Sequence, residues 1–208
     1  WTWRKAATYF DIQTWTGNNT SGRSISHDLT TSPEMIFIKK TNGTEDWSVW
    51  HTDLAANKFL KLNSSSAQLT GSEDLQSVSS SDFTVGNDSR VNGTSSDEYV
   101  AYIFGTVDGI SKCGSFVGSG SSKVIDCGFT TGARFFFVKA SDSGTDWMMF
   151  DSERGYSSAE YQLYANKSDA EVSSYDSVFG DSSGFGVKYD NNTNMNVNGV
   201  NYIFYAVA

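Results

Sequence analysis

GTEDWSVWHTDL, from Gly43 to Leu54, and GTDWMMFDSERG, from Gly144 to Gly155, are one phrase written twice. In each, an acidic residue stands directly before a tryptophan, Trp47 or Trp147, and a second aromatic, Trp50 or Phe150, follows three positions later. Working outward from this pair, PEMIFIKK (Pro33 to Lys40) falls over ARFFFVKA (Ala133 to Ala140) without a gap, so that Met35, Phe37 and Lys39 match Phe135, Phe137 and Lys139. Further back, Ile25 meets Ile125, Leu29 meets Phe129, and one inserted residue later QTWTGNNTSG (Gln13 to Gly22) meets GSFVGSGSS (Gly114 to Ser122). Further on, FLKLNSSSA (Phe59 to Ala67) meets QLYANKSDA (Gln162 to Ala170), and SSDFTVG (Ser80 to Gly86) meets SSGFGVK (Ser182 to Lys188). RVNG (Arg90 to Gly93) pairs with NVNG (Asn196 to Gly199), and YVAYIF (Tyr99 to Phe104) with YIFYAV (Tyr202 to Val207). The chain reads as a duplication: a leading segment 1–8, a first repeat 9–107 and a second repeat 110–208, joined through VDGIS (Val107 to Ser111).

Short runs of Val, Ile, Phe, Tyr and Trp separated by Ser, Thr, Asn, Asp and Gly, with one proline in 208 residues, indicate many short strands and no long helix. The expected class is all-β, two tandem β-sandwich-like modules of about 100 residues, each with roughly seven strands. Ser64 to Asp82, rich in serine, is expected to be a long surface loop with a turn of helix. Matched positions that are mostly apolar or turn-forming place Trp47 and Trp147 in equivalent strands as packing residues. Trp50 and Phe150 then point to the other side of that strand, a side expected to be partly open. WTWRKAAT, Trp1 to Thr8, has no partner in the second repeat, and the alternation of Trp1 and Trp3 suits a strand or a hydrophobic latch.

The net charge of −9 repels phosphate backbones and anionic lipid, so neither nucleic acid nor membrane insertion is expected. The longest apolar runs fall far short of the roughly 20 residues of a membrane-spanning helix. Two histidines, His27 and His51, with no HExxH or paired CxxC spacing, give no support for zinc, and no serine lies in GxSxG. SVFGDSSGFGVKYDNNTN, beginning at Ser177, is rich in oxygen ligands but lacks the DxDxDG order of a known calcium loop. No metal or other cofactor is expected. Asp46, Asp53, Asp146, Asp151 and Glu153 gather near the repeated tryptophans, where a carboxylate pair could cleave a glycosidic bond, although strand-end aspartates are ordinarily turn formers. Cys113 and Cys127 fall symmetrically about a hairpin centred near Gly120, which leaves open a cross-strand disulfide or two buried thiols.

VGN and VNG ahead of YVAYIF, together with SHDL…PEMIFIKK and DWSVWHTDL, resemble a domain of unknown function that recurs, with paired repeats, in virion structural proteins of tailed bacteriophages, above all tail-fibre proteins. The resemblance runs from about Tyr9 to Ala208 and carries no catalytic residues. It implies a place on the virion surface and other virion subunits as partners and, with the unpaired leading segment, a homo-oligomer, a trimer, with Trp1 and Trp3 buried against a neighbouring module or chain. Surplus aromatics and Ser/Asn/Asp-rich loops suit bacterial surface polysaccharide. The expected function is therefore a non-enzymatic module contributing to host-surface recognition. Trp50, His51 and Asp53 in the first repeat and Asp151, Arg154 and Tyr156 in the second are candidate contacts, because they follow the repeated strand yet differ between copies. A spacer or decoration domain that binds no glycan, and a glycan depolymerase, are the alternatives.

Overall fold

Alternation of buried and exposed side chains sets the strands, and the turn residues between them set their ends. The computed structural model describes residues 4–156 and 160–208. The described chain forms two compact units, the first from residues up to Asn63 with Gln68–Thr106, the second from Val107–Ala208 with Ser64–Ala67. The first holds β1 (Phe10–Thr16), β2 (Arg23–Ser26), β3 (Met35–Lys40), β4 (Ser48–His51), β5 (Lys58–Lys61), β6 (Leu69–Thr70), β7 (Leu75–Val78), β8 (Asp82–Val85) and β9 (Glu98–Phe104). The second holds β10 (Ser111–Val117), β11 (Lys123–Asp126), β12 (Phe135–Ala140), β13 (Met148–Asp151), β14 (Glu160–Tyr164), β15 (Val172–Tyr175), β16 (Val178–Asp181), β17 (Gly184–Val187) and β18 (Asn201–Val207).

Each unit is an antiparallel sandwich of a six-stranded and a three-stranded sheet, ordered β1-β9-β3-β4-β5-β6 with β2-β8-β7 in the first and β10-β18-β12-β13-β14-β15 with β11-β17-β16 in the second. The two orders are the same topology, strand for strand. Register agrees as well: Met35 opposes both His51 and Phe104, as Phe135 opposes both Asp151 and Val207. The protein is all-β, built from two tandem sandwich-like modules.

Between the sheets of the first unit lie Trp15, Ile25, Ile36, Ile38, Phe83, Val85, Tyr99 and Ile103. In the second, Phe136 stacks 4.0 Å from Phe185 and 5.0 Å from Phe150. Each such ring contributes about 1.5–3 kcal/mol by leaving water. Phe150 thus belongs to the core and Trp50 packs against the first unit's core, so the side of β4 and β13 expected to be open is the side the three-stranded sheet covers. The tryptophans lie just ahead of β4 and β13, on the other face of the large sheet, where Trp47 stacks on Tyr102 and Trp147 meets Phe137.

Four further expectations need revision. Ser64 to Asp82 contains β6 and β7, short edge strands rather than a bare loop with helix, because the sandwich needs them to finish both sheets. Strands β10 and β11 are no hairpin: they belong to different sheets, with Cys127 in the core and Cys113 on the opposite face of β10 from the core residue Phe116, and no disulfide joins the thiols. Burial raises the Cys127 thiol to about 12. VDGIS is the opening turn of the second unit, where Val107 pairs with Ser111; Ala6 pairs with Phe10 in the same way, so the end of the leading segment does have a counterpart. Trp1 and Trp3 lie outside the described residues.

The last revision concerns RVNG. Asn92 accepts a bond from the amide of Asn18, and Asn196 from that of Ser119; Tyr99 and Tyr202 accept through their hydroxyls from the amides of Gly93 and Val197. Val91, Asn92 and Gly93 are therefore equivalent to Met195, Asn196 and Val197, two residues from the match the letters suggest. What is repeated is a buried amide that clamps the loop after β1 and β10. Gly17 and Gly118 pass so close beneath the clamped segment that a Cβ would lie 2.7 Å from the Gly93 carbonyl oxygen and 2.0 Å from that of Val197.

Candidate functional site

The acid before each tryptophan is a buckle. Asp46 accepts from the Asn63 amide at 2.8 Å, and Asn63 in turn accepts from the Trp47 N–H at 3.1 Å. Asp146, Asn166 and Trp147 repeat this at 2.7 and 2.8 Å. A lysine neutralises each acid at 2.6 Å, Lys61 in one unit and Lys167 in the other. The bonds from Lys61 and Asn63 hold the Asp46 carboxyl below its ordinary range. Lys39 and Lys139 tie down the preceding loop by donating to backbone carbonyls, of Gly43 and Glu45 in one case and of Ala140 and Ser143 in the other. Burial pulls Lys139 down to about 8. The repeated phrase thus encodes a turn rather than a pair of ligand platforms.

The candidate contacts separate on this frame. His51 is fully buried and its Nδ1 accepts from the Asp53 amide at 3.1 Å; Asp151, at the equivalent place, is 5% exposed and its Oδ1 accepts from the Arg154 amide at 3.0 Å. Histidine and aspartate are interchangeable here because the turn needs one side-chain acceptor. The Arg154 guanidinium pairs with both Asp151 and Glu171. Trp50 is half-buried against the core and Asp53 is exposed. Of the six, Tyr156 stands in a cavity wall, while Asp151 and Arg154 form an ion pair close to it in sequence.

That cavity is a cleft of 370 Å³ in the second unit, lined by Thr131, Gly132, Ala133, Ser152, Tyr156, Gly180, Asp181, Ser182 and Gly184. Its volume lies at the low end of the roughly 300–1,000 Å³ of small-ligand pockets. Three segments build it: the β11–β12 loop, the turn after β13, and the β16–β17 hairpin. The Gly132 amide donates to Ser182 O at 2.8 Å and the Ala133 amide to Gly184 O at 2.7 Å, stitching loop to hairpin. Gly132 has φ +81°, and a Cβ there would lie 2.6 Å from the Asp181 carbonyl oxygen, so both the conformation and the approach require glycine.

Tyr156 is fixed before any ligand arrives. Its hydroxyl donates to Ala133 O at 2.9 Å and its ring packs 5.6 Å from Phe136. Burial pushes its hydroxyl far above the ordinary tyrosine value, so it remains a donor. Asp181 Oδ1 accepts from the Ser183 amide at 2.9 Å and from its hydroxyl at 2.7 Å, bonds that hold the carboxyl below its ordinary range. No hydrogen bond from the described residues reaches Asp181 Oδ2. The residues that line the cleft therefore include one anchored ring, one ionised carboxylate and three hydroxyl-bearing residues, Thr131, Ser152 and Ser182.

Sequence reasoning missed the walls supplied by Thr131 and Asp181, which come from segments far apart in the chain. The signal that could have found them was the oxygen-rich stretch from Ser177, considered for calcium and not for a cleft. Among the described residues, no group of three or more His, Cys, Asp or Glu side chains could hold a metal ion.

Residues 4–208 match the model of a family described as a domain of unknown function (DUF7483), and the chain belongs to that family. No curated protein and no solved structure matches it.

Proposed function

We propose that this member of the family is a virion surface module of a tailed bacteriophage, a tail-fibre or similar projection, that contributes to recognition of bacterial surface glycan without cutting it. The virion setting rests on the sequence resemblance described above. The recognition role rests on one observation, the second-unit cleft whose lining includes Tyr156, Asp181 and three hydroxyl-bearing residues. An aromatic face stacks on the apolar face of a sugar ring, and carboxylate and hydroxyl groups bond its hydroxyls. Rigid anchoring of Tyr156 lowers the ordering cost of binding. Several copies on one projection would turn weak single-site binding into firm attachment where geometry permits.

The spacer reading keeps one specific support: His51 and Asp151, chosen as contacts, serve as turn acceptors in the framework. A glycan array and a bacterial-cell binding assay on wild-type and Tyr156→Ala protein separate the two, with an assay for released oligosaccharide alongside. Binding that falls at least about tenfold in the variant, with no sugar released, is the expected result. An empty array and unchanged cell binding would establish the spacer, and release of sugar would establish a depolymerase.

A further inference from the structure

Charge in the cleft narrows what can enter it. None of the nine lining residues is basic, and among the described residues no donor reaches Oδ2 of the one ionised group in the lining, Asp181. Ser183 orients this carboxylate through two bonds to Oδ1, so its position is set by the hairpin and not by the ligand. Of the arginines near the lining residues in sequence, Arg154 is held by Asp151 and Glu171, and Arg134, next to Ala133, is exposed and reaches Glu153 only at 4.0 Å.

We infer that the cleft takes a single sugar residue that is uncharged or carries an amino group, and rejects an acidic one, with Asp181 Oδ2 as the specificity-determining atom and Tyr156 as the stacking platform. The inference rests on the glycan-binding reading above and adds the class of sugar. A hydroxyl pair or an ammonium donates to Oδ2, and an ammonium gains further from the face of the tyrosine ring. A carboxylate on the ligand would instead face Asp181 with no basic residue in the lining to neutralise it. Solvent reaches the Asp181 carboxylate, so the repulsion between two like charges about 4 Å apart is that in water, roughly a fivefold loss of affinity.

The second unit alone has this arrangement. Between β13 and β14 the chain is three residues longer than between β4 and β5, as the registers of the neighbouring strands require, and Tyr156 lies in that longer turn. On the wall side, Pro33 stands in the first unit where Ala133 stands in the second. The binding difference between copies is thus built by insertion and not by exchange of residues on a common turn.

Titration of the full chain with the methyl glycosides of glucose, glucosamine and glucuronic acid, followed by amide chemical shifts, tests the inference. Shifts centred on Thr131–Ala133 and Gly180–Gly184 are expected, with glucosamine binding at least as well as glucose and glucuronic acid about fivefold more weakly. Asp181→Asn should weaken the binding of glucose and glucosamine and bring glucuronic acid to within about twofold of glucose. Equal binding of the acidic sugar by the wild type, or undiminished discrimination in Asp181→Asn, would overturn the charge assignment with glycan binding itself intact. No shift with any of the three sugars, together with an empty array, would overturn the glycan reading and this inference with it. The unchanged amide spectrum of Asp181→Asn away from the hairpin shows that the variant is folded.

Discussion

The two units solve one problem, a polar group buried beneath the edge of the large sheet, in opposite ways. In the first, Asp74 is 2% exposed and takes bonds from Ser48 and from Arg90 at 3.1 and 3.2 Å, while the Arg90 guanidinium lies 4.5 Å over the Phe59 ring. Strand registers and the buried-amide clamps place Ser177, Met148, Asn194 and Gln162 at the positions of Asp74, Ser48, Arg90 and Phe59. There the acid comes instead from Glu160, fully buried, whose Oε1 accepts from the Ser177 amide at 2.7 Å and from its hydroxyl. Among the described residues, Glu160 Oε2 and both head atoms of Gln162 meet no hydrogen bond of good geometry, although Gln162 reaches the Tyr164 hydroxyl. The first unit closes its network with an ion pair, whereas among the described residues the second holds its acid by hydrogen bonds from Ser177 and no cation. Glu160 follows the lengthened β13–β14 turn, so the second unit departs from the first on the same stretch that supplies Tyr156 to the cleft.

Removing Arg90 attacks this contrast at its strongest point. Arg90→Met leaves Asp74 buried with Ser48 alone, and is expected to destabilise the chain by about 3 kcal/mol in chemical denaturation at neutral pH. Burial already pushes the Asp74 carboxyl above its ordinary 3.8 against the pull of Ser48 and Arg90. Without Arg90 it takes up a proton more readily, so the loss should shrink as the pH falls toward that value. Gln162→Met removes a buried amide that meets the Tyr164 hydroxyl without good hydrogen-bond geometry, and should cost far less than Arg90→Met. If both variants lose equally, the two networks are not energetically different.

The clamps sharpen the comparison from the other side, because there the units agree. Asn92 and Asn196 are both fully buried and each ties down the loop after its unit's first strand. Substitution by alanine removes the buried amide, leaves its part-buried backbone partners unpaired and should cost about 2 kcal/mol in either unit. Asn196 sits at φ +55°, while Asn92 does not have positive φ. Asn196→Ala should therefore cost about 1 kcal/mol more than Asn92→Ala, and Asn196→Gly should recover that excess. Equal losses measured by denaturation would show that backbone strain at Asn196 has been misjudged.

Legibility followed repetition. The matches at Met35 and Phe135, Phe59 and Gln162, and Tyr99 and Tyr202 hold in the strand registers, since strand pairing conserves spacing and alternation. RVNG misled because VNG recurs in letters at Val197 to Gly199 while the clamp depends on which amide is buried, a tertiary fact. Strands β6 and β7 were illegible because short edge strands carry too few apolar residues to show alternation. The cleft was half legible. Tyr156 was reachable as a difference between copies, but Thr131 and Asp181 meet it only through the sandwich, and the buried roles of His51 and Asp151 depend on turn geometry that sequence spacing does not express.

Glu160→Gln asks whether the second unit's network stores a buried charge, and its effect should be the smallest. Burial, outweighing the bonds from Ser177, raises the Glu160 carboxyl above its ordinary 4.5, with Asp176 adding to the rise. A raised acid stabilises the fold when protonated: its contribution is complete below 4.5 and is lost as pH rises through the folded value. Glutamine keeps an acceptor for Ser177 and carries no charge, so the variant should melt above wild type at neutral pH, and the difference should vanish as pH falls below 4.5. Asp11, Asp46 and Asp97, whose carboxyls are held low, lose stability on acidification in both proteins alike, and that loss cancels in the difference. A difference independent of pH would mean that Glu160 does not titrate in this range. A variant less stable at neutral pH would mean that the carboxylate is solvated where the fold leaves Oε2 open, and the contrast with Asp74 would then be between two ways of holding a charge.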